Sequence, residues 1–467
     1  MDMLKSLFCK KGVKTSDEVL AWIQQRNKEI QVNIREVPFD SLSGWVFDPK
    51  TGDLVHQTRK FFSIEGVHVF ADNGRKQEWE QPIINQPEVG LLGILAKKID
   101  GVLCFLLQAK IEPGNVNNVQ LSPTIQATRS NYSQVHGGNK PRYLDYFANL
   151  DPSCILLDQL QSEQGSRFLR KRNRNVIVLV KEDVAAHEDF CWVTLGQIKE
   201  LMKHDNVVSM DTRTVVSALS FGRLSPDLSS SEFEAIIRAQ EVSNFGEELF
   251  RSEMTLASYS TIDKILFWLS ALKSKYELVV NRKPLKDVRD WSVNKWEIVR
   301  DDRRFFRVIG VEVMIENREV KTWFQPLVQP MQEGICVFII KKINNVYHFL
   351  VQAKVECGNF DVVEMAPTIQ CMTGDYKEGY GYVPCYLDYV LMGKYKRKIY
   401  DTKQSEEGGR FYREQNRNLI VEADSNFDEK IPENFMWLTL GQLKEFLRFN
   451  NYLNIQARSL IASLEYI

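Results

Sequence analysis

The chain of 467 residues carries 60 basic and 61 acidic side chains, a formal net charge of -1, with 44% hydrophobic and 11% aromatic residues. This apolar and aromatic content argues against intrinsic disorder, and the length allows roughly two to four domains. The balanced charge argues against a nucleic-acid-binding protein, which more often carries a basic excess, so we expect any anion-binding site to be local.

The cysteines and the apolar segments indicate the compartment. None of the eight cysteines forms a CxxC pair, and Cys104 and Cys336 lie inside apolar runs typical of a core. No apolar stretch of signal-peptide length follows the N-terminus, and no segment approaches the roughly 20 apolar residues of a membrane span. We therefore expect a reduced, soluble, cytoplasmic protein with no membrane contact and no structural zinc.

The predicted elements begin with a helix at Ser16, where a capping sequence precedes apolar residues at helical spacing. Three later segments are rich in β-branched and aromatic residues, which predicts strands. Asp100-Gly101 stands between the last two of them and predicts a tight hairpin turn. The three predicted strands are 61–70, 90–97 and 102–110.

Further along the chain, a helix is predicted over 197–202. The residues Leu224-Ser225-Pro226 predict a loop that leads into a helix near 231–240. Thr261 opens a segment that matches the helix at Ser16, and 442–447 matches the helix over 197–202.

These matches belong to an internal repeat, the strongest signal in the sequence. Residues 108–110 and 352–354 both read Gln-Ala-Lys, and residues 123–126 and 367–370 both read Pro-Thr-Ile-Gln. Matches of this kind recur with an offset of 243–246 residues along both halves. Two domain-sized copies indicate a tandem duplication rather than a solenoid.

We predict an N-terminal repeat over 1–222, a helical linker over 223–259 and a C-terminal repeat over 260–467. Each repeat is expected to be an α+β domain, with a mixed, mostly antiparallel sheet flanked by helices.

Polar residues follow one of the predicted strands. Because side chains alternate between the faces of a strand, Gln108, Lys110 and Glu112 are predicted to share one face. The next segment repeats the pattern, and two such strands would line a polar trough; a solvated outer face is the alternative. The recurrence of Lys110 and Glu112 as Lys354 and Glu356 favours a site. The polar residues of the next segment are Gln120, Ser122, Thr124, Gln126 and Thr128.

A second polar group surrounds a loop that reads QSEQGSRF in the first copy and QSEEGGRF in the second. Arginine suits bidentate phosphate binding, asparagine can hold hydroxyls, and a buried glutamate beside them could transfer a proton. An exposed charged loop is the alternative. Lys171 and Arg172 become Glu414 and Gln415, which weakens the second copy as a diphosphate site. The candidate residues of the first copy are Glu163, Arg167, Arg172, Asn173 and Arg174.

A third polar segment contains Asn131, Tyr132 and His136, and the second copy has no histidine that matches His136. A lone histidine in a loop is more often structural than catalytic. The sequence contains no Walker A loop, no GxGxxG after a strand, no GxSxG elbow and no HExxH. It therefore implies no cofactor and no metal.

The strings QAKIEPGN, QLSPTIQATRSNY, QSEQGSRF, KRNRN and WVTLGQIK occur in this order, and each has a counterpart in the second copy. On these motifs the chain resembles the nucleoside-diphosphate-hexose 2,3-dehydratases over nearly its full length. The resemblance implies two Nudix-like domains, a homodimer and a lyase that acts on dTDP-4-keto-6-deoxyglucose in deoxysugar biosynthesis. The Nudix hydrolase signature is missing, so diphosphate hydrolysis is not implied.

The reaction that this resemblance implies requires no cofactor. The 4-keto group acidifies the proton on carbon 3, a base removes that proton, and hydrogen-bond donors hold the enolate oxygen. An acid then helps the hydroxyl on carbon 2 to leave. The product, dTDP-3,4-diketo-2,6-dideoxyglucose, would pass to an NADPH-dependent 3-ketoreductase.

The resemblance also suggests residue roles. Glu163 would transfer a proton, with His136 or Tyr132 as the second acid or base. Lysine, amide and hydroxyl side chains would orient the sugar, and the arginines would bind the diphosphate. The residues expected to bind substrate are Lys110, Glu112, Ser122, Thr124, Gln126, Asn131, Arg167, Arg172, Asn173 and Arg174.

The second copy is expected to be a structural or regulatory nucleotide pocket, or a weak second site. It has Ala366 in place of Ser122 and Asp375 in place of Asn131. A pyrophosphatase or epimerase, a non-catalytic nucleotide-sugar-binding protein and a scaffold remain alternatives for the whole chain. The residues of the second pocket are Lys354, Glu356, Gln370, Glu406, Arg410 and Arg417.

Overall fold

The computed structural model describes residues 2–128, 141–221, 242–318, 320–373 and 383–466, together with residues 235, 237 and 240. Within these ranges the two copies contribute the same number of strands. The first copy contains β1 (Val32–Val37), β2 (Trp45–Phe47), β3 (Leu54–His56), β4 (Ser63–Asp72), β5 (Lys76–Asn85), β6 (Gly90–Ile99), β7 (Val102–Ile111), β8 (Val119–Ser122), β9 (Ile125–Ala127), β10 (Ile155–Ser162), β11 (Arg172–Leu179) and β12 (Phe190–Thr194). The second copy contains β13 (Glu277–Lys283), β14 (Trp291–Val293), β15 (Glu297–Arg300), β16 (Phe306–Ile315), β17 (Thr322–Pro330), β18 (Gly334–Ile343), β19 (Val346–Lys354), β20 (Glu364–Pro367), β21 (Ile369–Met372), β22 (Arg397–Ser405), β23 (Gln415–Glu422) and β24 (Phe435–Thr439).

The helices also recur in the two copies. Thr15 caps the helix that begins at Ser16: its hydroxyl accepts from the Glu18 amide, and the Glu18 carboxylate accepts from the Thr15 amide. Thr261 caps the matching helix of the second copy. The described helices are α1 (Asp2–Phe8), α2 (Ser16–Glu29), α3 (Leu195–Leu201), α4 (Met210–Ser217), α5 (Asn244–Met254), α6 (Ile262–Lys275), α7 (Leu387–Leu391), α8 (Leu440–Phe446) and α9 (Ile455–Ala462).

Each copy builds a seven-stranded sheet with the same topology. The strand order is β10-β11-β6-β7-β12 in the first copy, with β8 on β7 and β9 on β6. In the second copy β22-β23-β18-β19 form the same path, with β20 and β24 on β19 and β21 on β18. Only β11–β6 and β23–β18 are parallel among these described pairs. The predicted mixed, mostly antiparallel sheet is confirmed.

Two smaller sheets combine strands of both copies. β1, from the first copy, pairs with β16 of the second, and β13, from the second copy, pairs with β4 of the first. Each five-stranded sheet therefore contains one strand from the other copy. The sequence repeat and the sheets consequently divide the chain at different places.

A helix pair joins the two copies beneath the large sheets. Arg213 on α4 and Arg458 on α9 are fully buried. The Arg213 guanidinium donates to the Ser405 carbonyl at 2.6 Å, and the Arg458 guanidinium donates to the Ser162 carbonyl. Each arginine thus holds the end of a strand of the other copy, directly before Glu406 or Glu163.

The predicted hairpin and the predicted helices after the capping threonines are present in the structure. β6 and β7 form the expected hairpin, and Asp100 and Gly101 between them have positive φ angles of 49° and 78°. The helices α3 and α8 begin after capping threonines, as predicted. α5 lies within the predicted linker, whereas the helix expected near 231–240 falls largely outside the described residues. No helix among the described residues is long and apolar enough to cross a membrane.

Candidate active site

A cavity of about 870 Å³, the outer cavity, has a lining drawn from both copies. Gln108, Lys110 and Gln126 contribute to it from β7 and β9, and Arg318 and Gln325 contribute from the second copy. Its volume lies within the range common for sites that bind small molecules and cofactors. The aromatic side chains in its lining include Trp45, Phe61, Phe62, Phe190, Trp323 and Phe324.

A smaller hollow of about 180 Å³, the inner pocket, shares Lys110, Gln126, Arg318 and Arg410 with the outer cavity and continues from it. Its lining is strongly charged, with equal numbers of acidic and basic side chains. The charged residues are Lys110, Glu112, Glu163, Lys171, Asp211, Arg318, Glu407 and Arg410.

Lys110 is the inner pocket's main ammonium donor. Its Nζ donates to Glu112 Oε1 at 3.0 Å and also to Gln126 Oε1. Burial raises the pKa of Glu112, but the charges of Lys110 and Arg318 outweigh burial and hold that pKa below its usual value. Lys110 therefore keeps its ionic partner, and these two bonds to described residues use two of its three N–H groups.

Glu163 is buried beside Asn173. Asn173 Nδ2 donates to Glu163 Oε1 at 2.5 Å, and the Gly90 amide donates to Asn173 Oδ1 at 3.1 Å, which fixes the orientation of the Asn173 amide. Glu163 Oε2 is buried without a hydrogen-bond partner in the described parts of the chain. Burial, together with the charge of Glu407, raises the pKa of Glu163 to about 8. The Glu163 carboxyl is therefore protonated at neutral pH and can donate a proton.

Two further titratable groups complete the inner pocket. The Lys171 ammonium donates to the Glu88 carbonyl, and burial lowers the pKa of Lys171 to about 8. Asp211 lies in the first turn of α4, where burial and then the charge of Glu407 raise its pKa well above the usual value. Several groups here can exchange protons near neutral pH, which is typical of a catalytic site.

Two loops cross between the copies, and we call 163–168 and 406–411 the crossing loops. The Gly114 amide donates to the Gly408 carbonyl at 2.7 Å, and the Gly358 amide donates to the Gly165 carbonyl at 2.6 Å. A Cβ atom at Gly114 would lie 1.6 Å from the Phe411 carbonyl oxygen, so only glycine allows this approach. Each crossing loop therefore presents side chains to the other copy.

The equivalent residues of the second copy form a related group, the second-copy cluster. Its Glu406 accepts from Asn416 Nδ2 at 2.5 Å and from the amide of Gln164, which arrives on the other crossing loop. Burial raises the pKa values of Glu356, Glu406 and Glu414, in the case of Glu414 to about 7. The cluster consists of Lys354, Glu356, Gln370, Glu406, Glu414 and Asn416, with Gln164 and Arg167 from the first copy.

We assign no metal to this region. Over the ranges that the structure describes, His187, Glu188 and Asp189 form the grouping whose ligand atoms lie close enough to share an ion. Arg26 Nη2 already donates to Asp189 Oδ1 at 2.5 Å. A guanidinium at this position opposes a second cation.

The family model for NDP-hexose 2,3-dehydratases matches residues 16–219 and again residues 262–464. The chain belongs to the NDP-hexose 2,3-dehydratase family. Three relatives are each named dTDP-4-dehydro-6-deoxy-alpha-D-glucopyranose 2,3-dehydratase. The protein from Saccharopolyspora spinosa is 45% identical over 97% of this chain and 92% of its own length. The proteins from Amycolatopsis orientalis and Streptomyces violaceoruber are 41% and 40% identical over 96% and 95% of this chain, and over 90% and 95% of their own lengths.

In this member of the NDP-hexose 2,3-dehydratase family, five of the site residues predicted for the first copy meet in the inner pocket. Thr124 lines the outer cavity, but its hydroxyl accepts from the Leu95 amide at 2.9 Å and donates to the Leu106 carbonyl. Ser122 is buried on β8, opposite Gln108. The five that meet are Lys110, Glu112, Gln126, Glu163 and Asn173.

Two predicted arginines exchange places between the copies. Arg167, expected beside Glu163, lies 4.3 Å above the Phe306 ring and is oriented toward the second-copy cluster. Arg410, expected in the second pocket, lines the inner pocket instead and lies 4.1 Å above the Phe62 ring. The crossing loops cause both differences, because each arginine follows its loop into the other copy.

The remaining predicted arginines lie on the sheets. Arg174 pairs with Asp158 through Nε at 2.8 Å, and Arg417 makes the equivalent pair with Asp401 at 2.7 Å. The guanidinium of Arg172 lies 4.9 Å from the centre of the Phe360 ring. These contacts differ from the expected diphosphate contacts.

Three predicted residues, Asn131, Tyr132 and His136, lie outside the described residues. Several residues that line the site were not predicted from the sequence. The sequence contains one indication of Glu407, because the first copy has Gln164 at the equivalent position of the repeat. It contains no such indication of the other four residues. The residues that were missed are Asp211, Arg318, Trp323, Gln325 and Glu407.

Proposed function

We propose that this chain removes water from dTDP-4-keto-6-deoxyglucose to give dTDP-3,4-diketo-2,6-dideoxyglucose. The observation that carries this proposal is the inner pocket, where the buried, protonated carboxyl of Glu163 lies with the cations Lys110 and Arg410 at the end of a large cavity. The names of the three relatives support the same substrate.

The sugar is expected to occupy the inner pocket. Lys110 would donate to the 4-keto oxygen and stabilise the negative charge that develops there when the proton on carbon 3 is removed. Gln126 and Asn173 would orient the sugar hydroxyls. Glu163, protonated because its pKa is raised to about 8, would deliver its proton to the departing hydroxyl on carbon 2.

The nucleotide is expected to occupy the outer cavity. Arg318 and Arg410 line both the outer cavity and the inner pocket, so they stand where a diphosphate would join the sugar to the nucleoside. Arginine binds phosphate oxygens in a bidentate geometry. The aromatic lining would accommodate the thymine ring.

Several finer features belong to the same proposal. The duplicated mixed sheets are compatible with two Nudix-like domains, and the family resemblance supports a cytoplasmic homodimer. The product is a reactive diketone, so we propose an NADPH-dependent 3-ketoreductase as the enzyme that consumes it. Tyr132 and His136 stay predicted as further acid–base groups.

The test is a coupled reaction. The pure protein is incubated with dTDP-4-keto-6-deoxyglucose, a 3-ketoreductase and NADPH, and the nucleotide sugars are analysed by mass spectrometry. We expect a product that lacks one oxygen atom relative to the substrate and that forms only when this protein is present. Unchanged nucleotide sugar with a folded protein that binds dTDP would contradict the proposal, as would release of dTMP, which would indicate a pyrophosphatase.

A further inference from the structure

We infer that Glu407, which the second copy contributes, is the base that removes the proton from carbon 3 of the sugar. This inference rests on the proposed function and assigns a catalytic residue to it. The site that contains Glu163 would then be complete only with a carboxylate from the other half of the chain.

The position of Glu407 is set by its crossing loop. The next residue, Gly408, accepts from the Gly114 amide at 2.7 Å, and the amide of Arg413 donates to the Gly114 carbonyl at 2.7 Å. The amide of Phe411 donates back to the Glu407 carbonyl at 3.0 Å, which closes a turn. These bonds hold the Glu407 side chain in the lining of the inner pocket, together with Glu163 and Lys110.

The surrounding charges assign different protonation states to the two carboxyls. Burial raises the pKa of Glu407 and the charge of Glu112 adds to this effect, while the charges of Arg410 and Lys110 oppose it without cancelling it. Burial and the charge of Glu407 itself raise the pKa of Glu163. Two neighbouring carboxyls of this kind do not both ionise, so one proton is shared unequally. We assign the ionised state to Glu407, because the charges of Arg410 and Lys110 favour its carboxylate, and the protonated state to Glu163.

The second-copy cluster can be compared with the inner pocket at the position of Glu407. At the position equivalent to Glu407 it contains Gln164, and the Gln164 amide donates to Glu406, the equivalent of Glu163. An amide side chain cannot accept a proton at neutral pH. The repeat has therefore kept the Glu163-type carboxyl in both copies and the second carboxyl in one.

The two carboxyls balance the reaction. Glu407 takes the proton from carbon 3, and the electrons of the C–H bond form the enolate of the 4-keto group. The C–O bond at carbon 2 then breaks, and the proton of Glu163 leaves with the hydroxyl as water. The proton on Glu407 exchanges with water; Glu407 then protonates carbon 2 of the resulting enol, and Glu163 takes the proton of the hydroxyl on carbon 3. The diketone forms, and both side chains regain their starting states.

The test follows the first step alone. Substrate with deuterium at carbon 3 is incubated in ordinary water with each variant, and loss of the label is read by mass spectrometry above the rate in buffer. The substitution Glu407→Gln should slow label loss and turnover by roughly 100-fold or more, because a positioned base contributes about that factor. Glu163→Gln should stop turnover yet still allow label loss, because its base is intact.

The control is Glu182→Gln, the same substitution at an exposed glutamate that lines neither pocket, which should leave label loss unchanged. Binding of dTDP, measured by thermal shift, shows that each variant is folded. If Glu407→Gln does not fold, Glu407→Asp replaces it and should slow label loss by roughly tenfold, because the shorter side chain withdraws the carboxylate. Normal label loss in the folded Glu407 variant would overturn the inference. A wild-type protein that neither exchanges nor dehydrates would instead overturn the proposed function.

Discussion

The inner pocket and the second-copy cluster are built from the same repeat but differ in charge. Both keep a lysine on a central strand, a glutamate shortly after the end of that strand and a glutamate held by an asparagine. Three positions differ: Glu407 faces Glu163 where Gln164 faces Glu406, Lys171 is replaced by Glu414, and Asp211 by Gln456. The inner pocket therefore has a carboxyl beside Glu163 and an ammonium at position 171, whereas the second-copy cluster has an amide beside Glu406 and a carboxyl at position 414.

This difference shows that two copies of a repeat can retain the same hydrogen bonds, between a glutamate and an asparagine, while a few substitutions change the charges around them. A substitution in a crossing loop or at a buried arginine would disturb both sites, because each of these features contacts both copies. Arg458, for example, holds the Ser162 carbonyl of one copy and, through Nε, the Thr214 hydroxyl at 2.7 Å. The charged side chains that line the two sites, by contrast, differ between the copies.

The largest expected effect comes from Glu163→Gln compared with Glu406→Gln. Glu163→Gln should lower turnover by roughly 100- to 10,000-fold, the usual contribution of a positioned acid. Glu406→Gln changes the equivalent carboxyl in the other copy and should leave turnover close to that of the wild type. The measurement is the initial rate of NADPH consumption in the coupled reaction, at saturating substrate. Equal losses in both variants would show that both carboxyls contribute to turnover, and unchanged rates in both would show that neither does.

A second prediction concerns the exchanged arginines. Arg410→Lys keeps the charge but removes the bidentate geometry, so the KM for the dTDP-sugar should rise by about tenfold, equivalent to about 1.4 kcal/mol. Arg167→Lys makes the same change beside the second-copy cluster and should alter the KM little. Steady-state kinetics over a range of substrate concentrations provide both values. If Arg167→Lys raised the KM and Arg410→Lys did not, each copy would use its own arginine, and the crossing loops would have no role in binding.

The arginines also show where sequence reasoning succeeds and where it cannot. Helix caps, the Asp100-Gly101 turn and the strand pattern depend on neighbouring residues, and the sequence predicted them. The gathering of Lys110, Glu112 and Gln126 follows from the alternation of side chains along strands. Alternation does not reveal whether such a face is solvated or covered, and here the second copy covers it.

The sequence does not show that loops and strands are exchanged between the two copies. β1 and β13 have similar patterns, and a pattern that specifies an inward face does not specify which copy supplies the neighbouring strand. The approach of Gly114 to Phe411 depends on backbone atoms more than 290 positions apart in the chain, which no periodicity encodes. Arg167 and Arg410 consequently lie beside the copies opposite to those in which the sequence placed them.

The last prediction concerns stability and compares one equivalent position of the two regions, Lys171 and Glu414, where the pKa shifts have opposite signs. Burial raises the pKa of Glu414 from 4.5 to about 7, so between these values the folded protein binds more protons than the unfolded chain. The free energy of unfolding therefore falls as the pH rises through this window, by at most roughly 3 kcal/mol from this group. Lys171, at the equivalent position, has its pKa lowered from 10.5 to about 8, so its contribution increases with pH over that higher window. Glu414→Gln should flatten the decline of the urea midpoint between about pH 5 and about pH 7, while Lys171→Met should leave that decline unchanged. The same slope in wild type and Glu414→Gln would mean that Glu414 ionises in the folded protein as it does in the unfolded chain, and the charge contrast between the two regions would then be smaller than their sequences suggest.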